Sequence, residues 1–326
     1  MRRLALATCL ACALASASAT RTTAFVPQLR DDDPALVAAL CNSVARRISN
    51  ATDASVEAIT VPWSASPARV LHAAATGAMR MARAGRGSLH IKPRRVGDIV
   101  KGPEFACDAD EDAWACMFGE PTPECPAVFP DTLERAELLW RDGSDRAMVS
   151  VAGAYARMLA PTLYHEPGWV VTADNEDAEA SAPSERSVSM VALFGERGPS
   201  AGALADYEKQ LEFVKNQYNI TSLLLYSDDP WFVEALVAGG VASRVTYVDD
   251  AEAIWAEGDA PVVLTALWLL QQGSVFVGSM HSHVARAAYL LMTGRIGRAP
   301  PYLSVDGGGV LVRADSIESL VVSNSK

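Results

Sequence analysis

From residue 188 onward, short runs of aliphatic and β-branched residues alternate with longer segments whose apolar positions recur every three or four residues. The runs at 188–194, 222–226, 244–248 and 275–278 predict strands, and the segments at 204–218, 230–237, 261–271 and 282–291 predict helices. Strands this apolar at consecutive positions are buried on both faces, which predicts a parallel sheet covered by helices, a Rossmann-like α/β domain over residues 186–326. Upstream the pattern is less regular. Helices are expected at 34–49, 68–84, 132–140 and 145–159, and strands at 58–63 and 88–91. The Cys- and Pro-rich run 103–130 lacks periodicity and reads as a stapled loop, while the acidic, small-residue run 173–187 reads as a linker or surface loop. Residues 31–185 are therefore expected to form an N-terminal α/β lobe carrying the Cys-rich loop. A chain of 326 residues that is 50% hydrophobic and 21% charged can fill two cores and is not a disordered chain.

The first residues read as an address. Arg2 and Arg3 precede an Ala/Leu-rich run to about residue 17, and small residues follow it, so residues 1–20 are expected to be a signal peptide or a short signal anchor. The run is shorter than the ~20 residues a membrane span needs, and the chain meets a membrane only if this segment stays uncleaved. The alternative is a plastid leader, suggested by Ala24-Phe25-Val26-Pro27. Beyond the leader, Cys41, Cys107, Cys116 and Cys125 form an even set suited to disulfides in an oxidising lumen, and no C-x-x-C pair or matching His pair implies a metal. Asn50 and Asn219 open N-x-[ST] sequons. These features predict the secretory pathway, in the Golgi lumen or secreted. The net charge of −11 argues against a nucleic-acid partner, although a local basic pocket remains compatible with it.

Two turns carry the candidate chemistry. In an α/β sheet, ligands bind at the carboxyl ends of the strands, where Gly195, Ser227, Asp228, Gly278 and Ser279 fall; the two turns are expected to share one cleft. The second turn runs into a helix near Ser282, yet His281, His283 and Arg286 crowd its start, where the helix dipole disfavours cations. An anion resolves that conflict. Capping explains Asp229 before Pro230 and, more loosely, Asp228, and Ser282 is also a suitable cap. Arg286 alternatively pairs with an acidic neighbour. His72, alone in an Ala-rich helix, reads as a packed or surface histidine.

Asp228-Asp229-Pro230, and the segment from Gly278 through Ser279, His281, Ser282, His283 and Arg286 to Tyr289, resemble the corresponding motifs of the α1,6-fucosyltransferases and their bacterial chitooligosaccharide relatives. The resemblance covers residues from about 186 well and earlier ones loosely. Residues 71–93 resemble the family's first-lobe helix and strand, 114–125 its W-x-x-x-F-x-x-x-x-x-x-C loop, 148–167 the helix crossing between lobes, and 303–306 its terminal S-L-D. The resemblance implies a two-lobed glycosyltransferase of the B type. Such an enzyme needs no cofactor or metal; it transfers a sugar from GDP-fucose to a glycan or glycoprotein acceptor with inversion. It places Asp228, Asp229, Ser279, His281, Ser282, His283 and Arg286 around the nucleotide sugar.

The departures are equally definite. Where the family has H-x-R-R-x-D, this chain has Val191, Leu193, Phe194 and Glu196; the aspartate that reads guanine aligns with Ala266, and a glycine-rich turn is replaced by residues 63–66. Leucine cannot imitate a bidentate guanidinium. Glu196 as general base and Arg197 as phosphate ligand are the candidate replacements, the alternative being a surface pair. Two functions follow: an inverting, fucosyltransferase-like enzyme, or a catalytically degenerate relative that binds a nucleotide sugar or glycan without transfer.

Overall fold

A computed structural model describes residues 58–61, 63, 66–84, 88–99, 107–119, 145–165, 167–174, 186–195, 203–249, 260–279, 281–297 and 299–305. Its strands are β1 (Ala58–Val61), β2 (Ser88–Ile91), β3 (Val170–Asp174), β4 (Ser187–Ala192), β5 (Ser222–Ser227), β6 (Arg244–Val248), β7 (Val275–Gly278) and β8 (Tyr302–Ser304). Its helices are α1 (Pro67–Ala84), α2 (Ala113–Phe118), α3 (Asp145–Leu159), α4 (Ala203–Tyr218), α5 (Pro230–Ala238), α6 (Ala260–Leu270) and α7 (His283–Ile296).

The protein is α/β. One sheet has the order β3-β6-β5-β4-β7-β8, and β1 pairs with β2 in a separate parallel pair. All neighbours in the larger sheet are parallel except β3, which runs antiparallel to β6 at the edge. Counted from β4, the parallel strands lie in the order third, second, first, fourth, fifth, so the winding reverses between β4 and β7. Among the described residues, the part before β4 contributes two short strands, β3 and three helices, not a second sheet of comparable size.

Period-two alternation sorts the strand side chains between two cores. Met190, Ala192, Leu223, Leu225, Val275 and Val277 face α4 and α5, whereas Val191, Leu224, Tyr226 and Phe276 face α6 and α7. Both faces are apolar, so these strands read as continuous hydrophobic runs. On the second face the cover is two helices deep: the cluster continues from α6 and α7 into Leu71, Ala75 and Ala78 of α1 and Ala152, Tyr155 and Ala156 of α3. Every residue from Val284 to Gly294 of α7 is buried. A helix that is apolar nearly all round is expected only where it is enclosed.

Two strands escaped the sequence pattern. β3 starts at Val170, where no element was expected, and its last two residues enter the expected linker at 173–187; its half-exposed residues give no apolar run, and cross-strand partners hold it, with Asp174 bonded to Arg244 at 2.7 Å and Thr172 to Thr246 at 3.1 Å. β8 is three residues long, too short for a period, and pairs with β7 through the Val277 and Leu303 register. The expected helices at 34–49 and 132–140, most of the 103–130 loop, the leader 1–20, Cys41, Cys125, Asn50, Glu196 and Arg197 lie outside the described residues.

The contact between α3 and α7 depends on two glycines. A Cβ at Gly153 would lie 2.5 Å from Thr293 Cγ2 and 2.8 Å from Gly294 N, and one at Gly294 would lie 2.8 Å from Arg157 Cβ. Gly153→Ala should therefore destabilise the protein by about 1–3 kcal/mol despite the better helix propensity of alanine. Chemical denaturation checks this, and an unchanged or raised midpoint would refute so close a crossing.

Candidate functional site

The carboxyl ends of β4, β5 and β7 meet where the sheet reverses direction. After β4 the chain turns at Gly195, whose φ of 63° is a conformation glycine adopts without steric cost. Asp228, just past β5, accepts hydrogen bonds from Phe194 N at 2.8 Å and Gly195 N at 2.7 Å. Its carboxylate ties the two strand ends together. Asp229 caps α5 by accepting from Phe232 N at 2.9 Å, with Pro230 opening the helix. The two aspartates are thus engaged with backbone groups at the carboxyl ends of the strands. Beside them Trp231 stands 59% exposed in the first turn of α5.

The strand-to-helix turn after β7 is held by its own serines. Ser279 Oγ accepts from His281 N at 3.1 Å, and Ser282, the α7 N-cap, accepts from Ala285 N at 3.2 Å. Arg286 folds back over this turn: Nε donates to Ser282 O at 3.3 Å and Nη2 to His281 O at 2.9 Å. The residue is only 2% exposed, and among the described residues its Nη1 has no hydrogen-bond partner and Arg286 makes no ion pair with a carboxylate. His283 Nδ1 is buried and also lacks a partner among the described residues.

Two further basic residues reach this place from α1. His72 is 1% exposed, with its ring centroid 6.1 Å from that of His283, and Arg69 acts electrostatically on both His283 and Arg286. Burial, then Arg286 and Arg69, push the pKa of His283 down to about 4. Burial lowers that of Arg286 as well, with Tyr302 opposing and Arg69 adding to the effect. Sequence reading placed His281, His283 and Arg286 together but missed the contribution of α1. The available signal was the i, i+3 spacing of Arg69 and His72 in the first turns of an Ala-rich helix, which sets both on one side of it.

The positions where the resemblance expects arginines are occupied by packed side chains. Phe194 joins Tyr207 and Phe232 in edge-to-face contacts with centroids 5.1–6.1 Å apart, while Leu193 packs on the opposite face, against the cluster containing α1 and α7. Val191 and Ala266 are fully enclosed. Cys107 and Cys116 form a disulfide with Cα atoms 6.2 Å apart. Glu111 lies close to both sulfurs, but disulfide sulfurs are not thiolate ligands, and the Glu111 carboxylate accepts from Asp108 N at 3.1 Å. Asn219 is exposed and closes α4 with a φ of 52°, a left-handed conformation that asparagine tolerates.

Two predictions follow from this geometry. Asp228→Ala leaves the Phe194 and Gly195 N–H groups without their acceptor and should cost about 1–3 kcal/mol in denaturation experiments; an unchanged stability would mean that the strand ends hold without this carboxylate. His283 is neutral in the folded protein down to about pH 4, whereas in the unfolded chain it takes up its proton near the ordinary 6.5. The unfolded state binds more protons between these values, so stability should fall as pH drops from 6.5 towards 4. His283→Gln should flatten that part of the profile, and identical slopes in both proteins would remove His283 as its source.

Comparison with protein-family models and with curated proteins finds no match for this chain.

Proposed function

We propose that the turn from Ser279 to Arg286 binds the diphosphate of a nucleotide sugar and that the protein is a glycosyltransferase of the two-lobed B type, with GDP-fucose as the donor that the resemblance implies. The observation that carries this reading is the Arg286 guanidinium, buried at the first turn of a helix with Nη1 unpartnered and other cations close by. A guanidinium removed from water without a counter-charge is costly, and an oxyanion bound at the helix N-terminus would supply that charge. The site lies where the winding reverses, the usual ligand position in such sheets. In transfer, Arg286, Ser282 and the helix terminus would stabilise the departing nucleoside diphosphate while a base, for which Glu196 is the candidate, deprotonates the acceptor hydroxyl. The disulfide between Cys107 and Cys116 favours an oxidising compartment, consistent with an acceptor glycan in the secretory lumen.

A second reading is a protein that binds a nucleotide sugar or glycan without transferring it. Phe194 favours it: its ring belongs to an aromatic cluster, so an arginine cannot replace it without breaking the packing. Leu193 faces the other side and is the better position for a restored cation.

Thermal denaturation with a panel of nucleotides and nucleotide sugars tests the proposal. A ligand present at about 100 times its Kd should add about 2.7 kcal/mol of stability. Arg286→Ala should weaken that binding by about 2 kcal/mol or more, and Leu193→Arg should strengthen it. No shift with any guanosine or uridine diphosphate would sink the nucleotide reading. Binding without transfer or hydrolysis of any donor would select the non-catalytic alternative.

A further inference from the structure

The first turn of α7 does not contain all the positive charge that converges on it. Arg69 and His72 come from α1, far earlier in the chain, and the packing of α1 against α7 brings them to the same place as His283 and Arg286. We propose that α1 completes the anion site: Arg69 supplies a second cation, His72 positions the His283 ring, and a diphosphate entering the site draws a proton onto His283. This rests on the diphosphate reading above and adds a second wall and a proton to it.

The geometry supports each part. His283 lies at the first position of α7, so its backbone N–H belongs to the helix terminus and its ring stands beside the Arg286 guanidinium. Its Nδ1 is buried with no hydrogen-bond partner among the described residues, and once protonated it can donate to a phosphate oxygen. The groups around it are cationic or uncharged. Arg286 and His281 come from the same turn, Arg69 and His72 from α1, and Tyr302 from β8, with its hydroxyl donating to Gly278 O. From α3, Arg157 lies at the crossing with Gly294, three turns away, and α6 has no titratable side chain. Partial burial and two neighbouring guanidiniums keep the imidazole neutral. An arriving anion reverses the sign of that field, and the proton comes from solvent and remains on the ring while the ligand stays bound.

Isothermal titration of the full chain with GDP-fucose and with UDP-glucose tests this, because their phosphates each stay singly ionised across the pH range used. Runs at pH 7 and 5.5 in two buffers of different ionisation enthalpy report both affinity and protons taken up. Binding should tighten by about fivefold or more on going from pH 7 to 5.5, tenfold per pH unit being the ceiling for one coupled proton. His283→Gln should still bind but lose both the pH slope and the proton uptake. Arg69→Ala should weaken binding severalfold at both pH values and keep the slope, and His72→Ala, which removes the ring packed against His283, should reduce both the slope and the proton uptake. Equal affinity at both pH values without proton uptake overturns the inference and leaves the diphosphate site standing. No binding of either nucleotide sugar or of inorganic pyrophosphate overturns both. If His283→Gln fails to fold, the buffer dependence of the unaltered protein decides alone.

Discussion

Helix α7 is enclosed by the sheet on one side and by α1, α3 and α6 on the others, and this enclosure governs the rest of the molecule. The helix is buried from Val284 to Gly294, and its first turn, where His281 is exposed and Ser282 and His283 are half-buried, must satisfy polar groups that only partly reach water. The turn from Ser279 to Ser282 does so with two hydroxyl acceptors, and Arg286 consumes two of its carbonyls. What the enclosure cannot provide among the described residues is a carboxylate for Arg286. Carbonyl dipoles soften the burial of a guanidinium but do not neutralise it. The same packing that stabilises α7 therefore leaves a positive potential at the reversal point of the sheet, and that potential makes the site suitable for an anion.

The neighbouring strand ends show a different allocation of charge. Asp228 accepts from two backbone N–H groups and holds the turn after β4 in place, so its carboxylate is committed to the shape of that turn. Phe194 then points into the core on the α4 and α5 side, away from the basic cluster, because successive side chains of an extended segment alternate between faces. Leu193 points to the other side. A pair of arginines at these two positions would serve opposite faces, and only one of them would lie towards α7. With Leu193 and Phe194 at these positions the strand end carries no positive charge there, while α1 brings Arg69 to the side of α7.

The elements before β4 do more than precede the sheet. They form its outer cover, since the cluster that begins at Ala68 ends at Tyr302. The crossing of α3 over α7 at Gly153 and Gly294 brings backbone against backbone and fixes the position of α7 against the covering layer. The disulfide between Cys107 and Cys116 closes the segment leading into α2, whose Trp114 donates its indole N–H to Leu159 O at the end of α3. The covering layer is thereby tied to itself as well as to the sheet.

Local pattern alone determined the strands β4, β5, β6 and β7 and the helices between them, because a strand buried on both faces and a helix apolar nearly all round leave unmistakable runs in the sequence. It also determined the caps, since Asp229 with Pro230 and Ser282 act on groups two or three residues away. The edge strand β3 and the short β8 were not legible, because their order comes from partners across the sheet and not from their own periodicity. The site divides in the same way. His281, His283 and Arg286 were legible as a conflict between positive side chains and a helix N-terminus, a purely local matter. Only the tertiary structure decided that Arg286 is shut away from water, that Asp228 is committed to another strand's backbone, and that Arg69 and His72 stand against the same helix. Burial and contacts between residues two hundred positions apart are set by packing, which no local window of the sequence contains.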